Sequence, residues 1–257
     1  QRSADAAAYL LQRCGGVNYY LSLVTRTAAK PRYVGRVHEC LSVVSSIRIP
    51  RAYLTQEAKP QSLEATRARW RRDLELLDAE RFADPSNPRT AFYLAQTYDC
   101  LGMPDNALVE YEHRISLGGW AEEVYEAKFR RARIFDETRR PWPEVECAYL
   151  EAHRFSPGRA EPLFRIALHY YWLGEHALTY LFASRAMELP KPDSTLFVDA
   201  AVYDWKAADL VAISAYYLAK QLDDSHVLAT GRRAAKQAQA FHPSDTRLNA
   251  NLAFYAI

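Results

Sequence analysis

The stretch that decides the fold reads Pro88-x-x-Ala91-x-x-Leu94-Ala95-x-x-Tyr98-x-x-x-Gly102-x-x-x-x-Ala107-x-x-x-Tyr111. Apolar residues three and four apart on either side of a glycine describe two amphipathic helices joined by a short turn, with Pro88 suited to the first helical position. Ala91, Ala95 and Ala107 let the two helix axes approach closely, while Leu94, Tyr98 and Tyr111 fill the groove between them. A lone hairpin of this kind cannot bury its remaining apolar face, so it requires neighbours. The sequence supplies them. The second-helix positions recur at Val145, Tyr149 and Ala152, followed by Pro157, and again at Thr179, Ala183 and Ala186, at offsets of 38 and 34 residues. Leu163-x-x-Ile166-Ala167-x-x-Tyr170-x-x-x-Gly174 repeats the first helix.

Helical hairpins recurring at about 34 residues form the tetratricopeptide arrangement. The spacing predicts an all-α, tetratricopeptide-like helical-hairpin solenoid over residues 61–257. Its helices are expected near 63–82, 89–101, 106–117, 121–136, 143–155, 160–173, 175–188, 194–204, 206–222, 225–241 and 244–256. Residues 1–60 read differently. The β-branched and aromatic runs at 19–26 and 32–39 predict two short strands, a small N-terminal β-hairpin remnant, and Pro50 and Pro60 place a loop or linker over 44–60. Contacts between sequential hairpins would let the helical part fold without the first sixty residues.

Composition narrows the function classes. With 33 Lys+Arg against 31 Asp+Glu the formal net charge is +2, which gives no global attraction to nucleic acid. The 17 Tyr, 10 Phe and 5 Trp beside only 9 Gly argue against disorder. No apolar run approaches the ~20 residues of a membrane span. Cys14, Cys40, Cys100 and Cys147 show no C-x-x-C spacing, so they are expected as free thiols in a reducing, cytoplasmic setting.

Beyond the repeat, some stretches are more specific. Asp84-Pro-Ser-Asn87-Pro-Arg89, Tyr111-Glu-His-Arg114-x-x-x-Gly118-Gly119-Trp120-x-Glu122-Glu123, Arg159-Ala160-Glu161-Pro162-Leu163 and Leu196-Phe197-Val198-x-x-x-Val202-Tyr203-Asp204-Trp205 resemble the helical extension of certain family 2 glycosyltransferases. Arg32-Tyr33-Val34-Gly35-Arg36-Val37-His38-Glu39 resembles a strand near the end of their GT-A domain. That resemblance implies a metal-associated role for His38 and a catalytic role for Glu39. It also implies a nucleotide sugar with Mg or Mn as cofactors of a complete GT-A domain, and a protein or glycan acceptor as partner. No Asp-x-Asp, the usual carboxylate source for such a metal, occurs in the 257 residues. By resemblance the chain is a C-terminal, catalytically incomplete portion that needs no cofactor of its own; the alternative is a non-enzymatic tetratricopeptide scaffold for protein–protein interaction.

In a stacked hairpin array the first helices carry the ligand face, so Trp120, Glu122 and Glu123 are the candidate groove residues. Tyr98, Tyr111 and Tyr149 are expected as packing residues, with Tyr111→Ala costing about 3–5 kcal/mol. Glu123 is expected as an exposed helix-start carboxylate, its removal costing under about 1 kcal/mol. The arginines at 67, 69, 71 and 72, and at 130, 131 and 133, read as solvated or ion-paired faces, since acidic residues interleave with them. His113, His153, His169 and His176 show no metal-ligand spacing.

Overall fold

The computed structural model describes residues 8–14, 19–25, 28, 30–42, 46–55 and 62–255. Its N-terminal part holds β1 (Ala8–Cys14), β2 (Tyr19–Thr25), β3 (Tyr33–Val34), β4 (Cys40–Leu41) and β5 (Ser46–Thr55). β1 is the centre of a three-stranded sheet, antiparallel to β2 and parallel to β5. The expected strand at 19–26 is therefore present, but its partner is β1. The segment expected as a strand at 32–39 keeps only β3, which pairs with β4, because Gly35 and His38 turn the chain with positive φ of 104° and 51°. The loop expected over 44–60 contains β5. Pro50 is accommodated because β5 is an edge strand whose register with β1 shifts between Leu10 and Gln12.

The helical part follows the periodicity. Its helices are α1 (Leu63–Ala83), α2 (Pro88–Cys100), α3 (Pro104–Leu117), α4 (Ala121–Glu137), α5 (Trp142–Phe155), α6 (Glu161–Trp172), α7 (His176–Glu188), α8 (Ala207–Leu222), α9 (Ser225–Phe241) and α10 (Thr246–Ala253). Local chemistry sets their ends. The Asn87 side chain accepts from the backbone N–H groups of Arg89 and Thr90 with Pro88 in the first turn, and Asp224 and Asp245 cap α9 and α10 the same way. Ser62 caps α1.

One expected helix, near 194–204, is only half formed and merges with the next. Residues 194–198 are not helical, and the helix resumes only at residue 200, running through a π-helical turn, Val202–Lys206, into α8. Pro190 and Pro192 disfavour helix before it, and the Asp199 side chain accepts from the Ala201 N–H to start the new helix.

The chain forms two compact units, with the division falling inside α4. Unit 1 comprises the residues up to Ile134 together with Ser194–Val198; unit 2 comprises Phe135–Asp193 and the residues from Asp199 onward. Unit 1 packs Phe92, Ala95, Ala107, Tyr111, Ala127 and Ile134 into one core, flanked by Tyr98 and Phe197. Tyr111 is fully buried, and in unit 2 so is Tyr149, as the repeat positions required. The core of unit 2 is rich in alanine, with Ala208, Val211 and Ala212 of α8 against Ala234, Ala235 and Ala238 of α9. Gly231 permits this approach: a Cβ there would sit 2.2 Å from the Tyr255 hydroxyl and 2.7 Å from the Ala215 Cβ.

Candidate functional site

The specific stretches turn out to build turns. Arg114, on the last turn of α3, is fully buried. Its guanidinium reaches Glu123 at 3.1 Å and donates to the backbone oxygens of Gly118 at 2.6 Å and Trp120 at 3.4 Å. Gly118 and Gly119 adopt positive φ, which folds the turn so that both carbonyls face the arginine. Glu123 is therefore a core residue, 4% exposed, and the expectation of an exposed helix-start carboxylate is corrected. Burial pushes its carboxyl above the ordinary value, with Arg114 and then Arg89 opposing.

Unit 2 holds a second buried pair. Arg159 donates twice to Glu161, at 3.0 and 2.7 Å. The same carboxylate accepts from the Tyr203 hydroxyl at 2.7 Å and from the Asp199 N–H at 3.3 Å, and the Ala160 N–H donates to the Tyr203 oxygen. These groups are occupied by the fold.

Glu122 is different. Its carboxylate lies on the first turn of α4 in unit 1, and one oxygen, Oε2, accepts from the backbone N–H groups of Thr195 and Leu196, each at 2.8 Å. Two residues on, Phe197 packs against the unit 1 core, with the Arg130 guanidinium 5.0 Å from its ring centroid. Arg130 is held in place by Glu126 at 2.6 Å and by Asp99 at 4.0 Å. The site is thus a carboxylate that reads two successive backbone amides, followed by an aromatic seat beneath a cation. Trp120, 44% exposed, stands beside it in sequence but offers its carbonyl to Arg114.

His38 stacks on Tyr93 with ring centroids 4.0 Å apart, and its carbonyl accepts from Arg89 at 2.7 Å. His38 keeps an exposed surface, but partial desolvation of its imidazole lowers the pKa, Arg89 and Arg69 add to this, and Asp73 opposes. Glu39 is exposed. Among the described residues no group of three His, Cys, Asp or Glu side chains could hold a metal ion. A cleft of about 210 Å³ lies nearby, lined by Gly35, Arg36, Leu77, Glu80, Arg89 and Tyr93, but Glu80 already accepts from the Arg36 N–H at 2.6 Å.

The four other histidines weighed in the sequence are engaged within the fold. His113 donates to the Pro85 carbonyl, His153 to that of Arg159, His169 stacks on Trp142 and His176 on Tyr217. The arginines at 67, 69, 71 and 72 are exposed, and those at 130, 131 and 133 form ion pairs with Glu126, Glu112 and Asp99. Cys40, Cys100 and Cys147 are free thiols. No helix among the described residues is long and apolar enough to cross a membrane.

No protein-family model matches the sequence, and no curated protein matches it. Solved structures do match in fold. MamA is 16% identical with a TM-score of 0.50, over 72% of this chain and 99% of that one. A tetratricopeptide repeat protein from Parabacteroides merdae ATCC 43184 is 16% identical with a TM-score of 0.51, over 74% of this chain and 67% of that one. The fold is an all-α, tetratricopeptide-type helical solenoid. Nothing in these likenesses points to a GT-A glycosyltransferase, and the resemblance to family 2 glycosyltransferases is corrected accordingly. Its quoted stretches earn their specificity structurally: Arg114, Glu123, Arg159 and Glu161 are buried turn residues, and buried ion pairs constrain sequence whatever the function. The roles inferred for His38 and Glu39, the nucleotide sugar, the Mg or Mn ion and the glycan acceptor rested on that resemblance.

Proposed function

We propose that this chain is a non-enzymatic scaffold that binds other proteins through its helical array. The observation that carries the reading is the way the α4 face of unit 1 holds Thr195, Leu196 and Phe197. A non-helical stretch of backbone is recognised there by its N–H groups, which most peptides share, and by one aromatic side chain, which selects among them. Of the candidate groove residues Trp120, Glu122 and Glu123, this reading keeps Glu122 as the recognising group and adds Arg130; Glu123 supports the turn that presents it. The fold supports the same conclusion, since stacked hairpins expose long faces made of successive helices.

The test is selection of peptides from a random display library on the purified chain, followed by titration of the selected peptides. Saturable binding that weakens by about tenfold or more, about 1.4 kcal/mol, on adding Glu122→Gln or Arg130→Ala to a Phe197→Ala chain, in which residues 195–197 hold these groups less, supports the reading. Failure to enrich any peptide that binds saturably would overturn it.

A further inference from the structure

The α4 face is already filled by the chain itself. Residues 194–198 leave the hairpin array, belong to unit 1 although α7 before them and α8 after them belong to unit 2, and are only half-buried. The core cluster that Phe197 packs against is not: its Phe92, Ala95 and Ala127 are fully buried. A strap lifted from this face would leave apolar surface and a hydrated Glu122 carboxylate facing water. Another segment of the same chemistry restores both contacts.

We propose that Ser194–Val198 is a built-in competitor that closes the peptide face of unit 1. The partner that opens it is an extended peptide segment presenting two successive backbone N–H groups to Glu122 and, on the next residue, an aromatic ring beneath Arg130. This rests on the scaffold reading and specifies its ligand. The strap is tethered, so it acts at high effective concentration. A partner therefore binds with an affinity reduced by the fraction of chains in which the strap is open.

The strap's hold includes the two amide bonds to Glu122 and the Phe197 seat. Bonds to a carboxylate are strong for their kind, but a peptide with the same pattern replaces each of them one for one. The tetratricopeptide-like helices themselves are unchanged by the exchange.

The experiment uses the full chain and a fluorescein-labelled synthetic peptide, Lys-Pro-Asp-Ser-Thr-Leu-Phe-Val-Asp, which copies residues 191–199. Phe197→Ala, which weakens the strap, should bind the peptide at least about tenfold more tightly than wild type. Adding Glu122→Gln to that variant should reverse the gain, and a peptide with alanine in place of its phenylalanine should not bind. Equal affinity of wild type and a cooperatively folded Phe197→Ala chain would overturn the proposal, as would a gain indifferent to Glu122→Gln.

Hydrogen exchange on the wild-type chain gives a second reading if the variant does not fold. The Thr195 and Leu196 amides should exchange well before those of α2 and α4, reporting opening without global unfolding. Exchange of both only with the core would show a permanent structural clamp and sink the idea. Should the strap peptide fail while library-selected peptides still bind, this inference falls and the scaffold reading stands. Should no peptide bind either chain, both fall.

Discussion

The turn from α3 to α4 in unit 1 and the turn from α5 to α6 in unit 2 each bury an arginine–glutamate pair, but they are wired around opposite members of it. In the first, the cation is the hub: Arg114 serves Glu123 and the carbonyls of Gly118 and Trp120. In the second, the carboxylate is the hub: Glu161 collects Arg159, the Tyr203 hydroxyl and the Asp199 N–H. The difference follows from backbone. A turn built on two positive-φ glycines points carbonyls inward and wants a donor, whereas a turn that ends against an approaching hydroxyl and amide wants an acceptor. The same ion pair thus solves two different problems of unsatisfied polar groups.

The largest expected effect tests this wiring directly. Arg114→Met should cost about 3–5 kcal/mol in urea unfolding, since it strands a buried carboxylate together with two turn carbonyls. Glu123→Gln should cost less, about 1–3 kcal/mol, because an amide oxygen still accepts and Arg114 keeps its two carbonyls while losing its counter-ion. In unit 2 the order reverses. Glu161→Gln should cost about 2–3 kcal/mol, by placing an amide donor among donors, and Arg159→Met about 1–2 kcal/mol. Equal losses for cation and carboxylate in either turn would dissolve the distinction.

The glycines sharpen it. Gly118 sits at φ 63° and ψ −143°, a region that side chains resist, so Gly118→Ala should cost about 1–3 kcal/mol although a Cβ there meets nothing within 4 Å. Gly158, in the α5–α6 turn, is not among the positive-φ residues and its Cβ position is equally open. Gly158→Ala should leave stability unchanged or raise it by about 0.4–1 kcal/mol. Thermal melts of the two variants decide whether only the cation-centred turn depends on backbone conformation.

A helix entry with neither pair supplies the baseline. At the start of α2 the Asn87 side chain does the capping alone, and Asn87→Ala should cost about 1 kcal/mol. A loss matching that of Arg114→Met would mean the buried pairs add nothing beyond ordinary capping.

The smallest effect is one of pH. Burial raises the Glu123 carboxyl pKa against the opposition of Arg114 and Arg89, so the folded chain holds that proton more tightly than the unfolded one. Its stabilising contribution is complete below the unfolded value and is lost as pH rises through the folded value. The stability of wild type relative to Glu123→Gln should be greatest below the ordinary carboxylate range and decline as pH rises above it. The opposite slope in urea midpoints would show the ion pair with Arg114 outweighing the desolvation of Glu123.

Helix positions and the packing role of Tyr111 and Tyr149 were legible in the sequence because they depend on residues three or four apart. The strands were less so: β5 pairs with β1 across some forty residues, and Pro50 masked it. Glu122 was legible as a candidate only because it opens a first helix. Its neighbour Glu123, identical in chemistry, points instead at an arginine nine residues back, and no spacing rule separates the two. The segment at 194–198 shows the same limit. Its apolar residues suit a helix, and Glu122 and the seat beneath Arg130, more than sixty residues away in sequence, help to hold it out of one.

By itself the sequence determined the repeat, the helical hairpins, most helix ends and the burial of the signature aromatics. These rest on local periodicity and capping, where the relevant partners are a turn away. Tertiary structure alone decided which polar groups met one another and which were left at the surface. That outcome depends on which donors and acceptors the folded chain leaves facing one another after water has been removed, and a buried polar group takes whichever partner the fold brings within 3 Å or so.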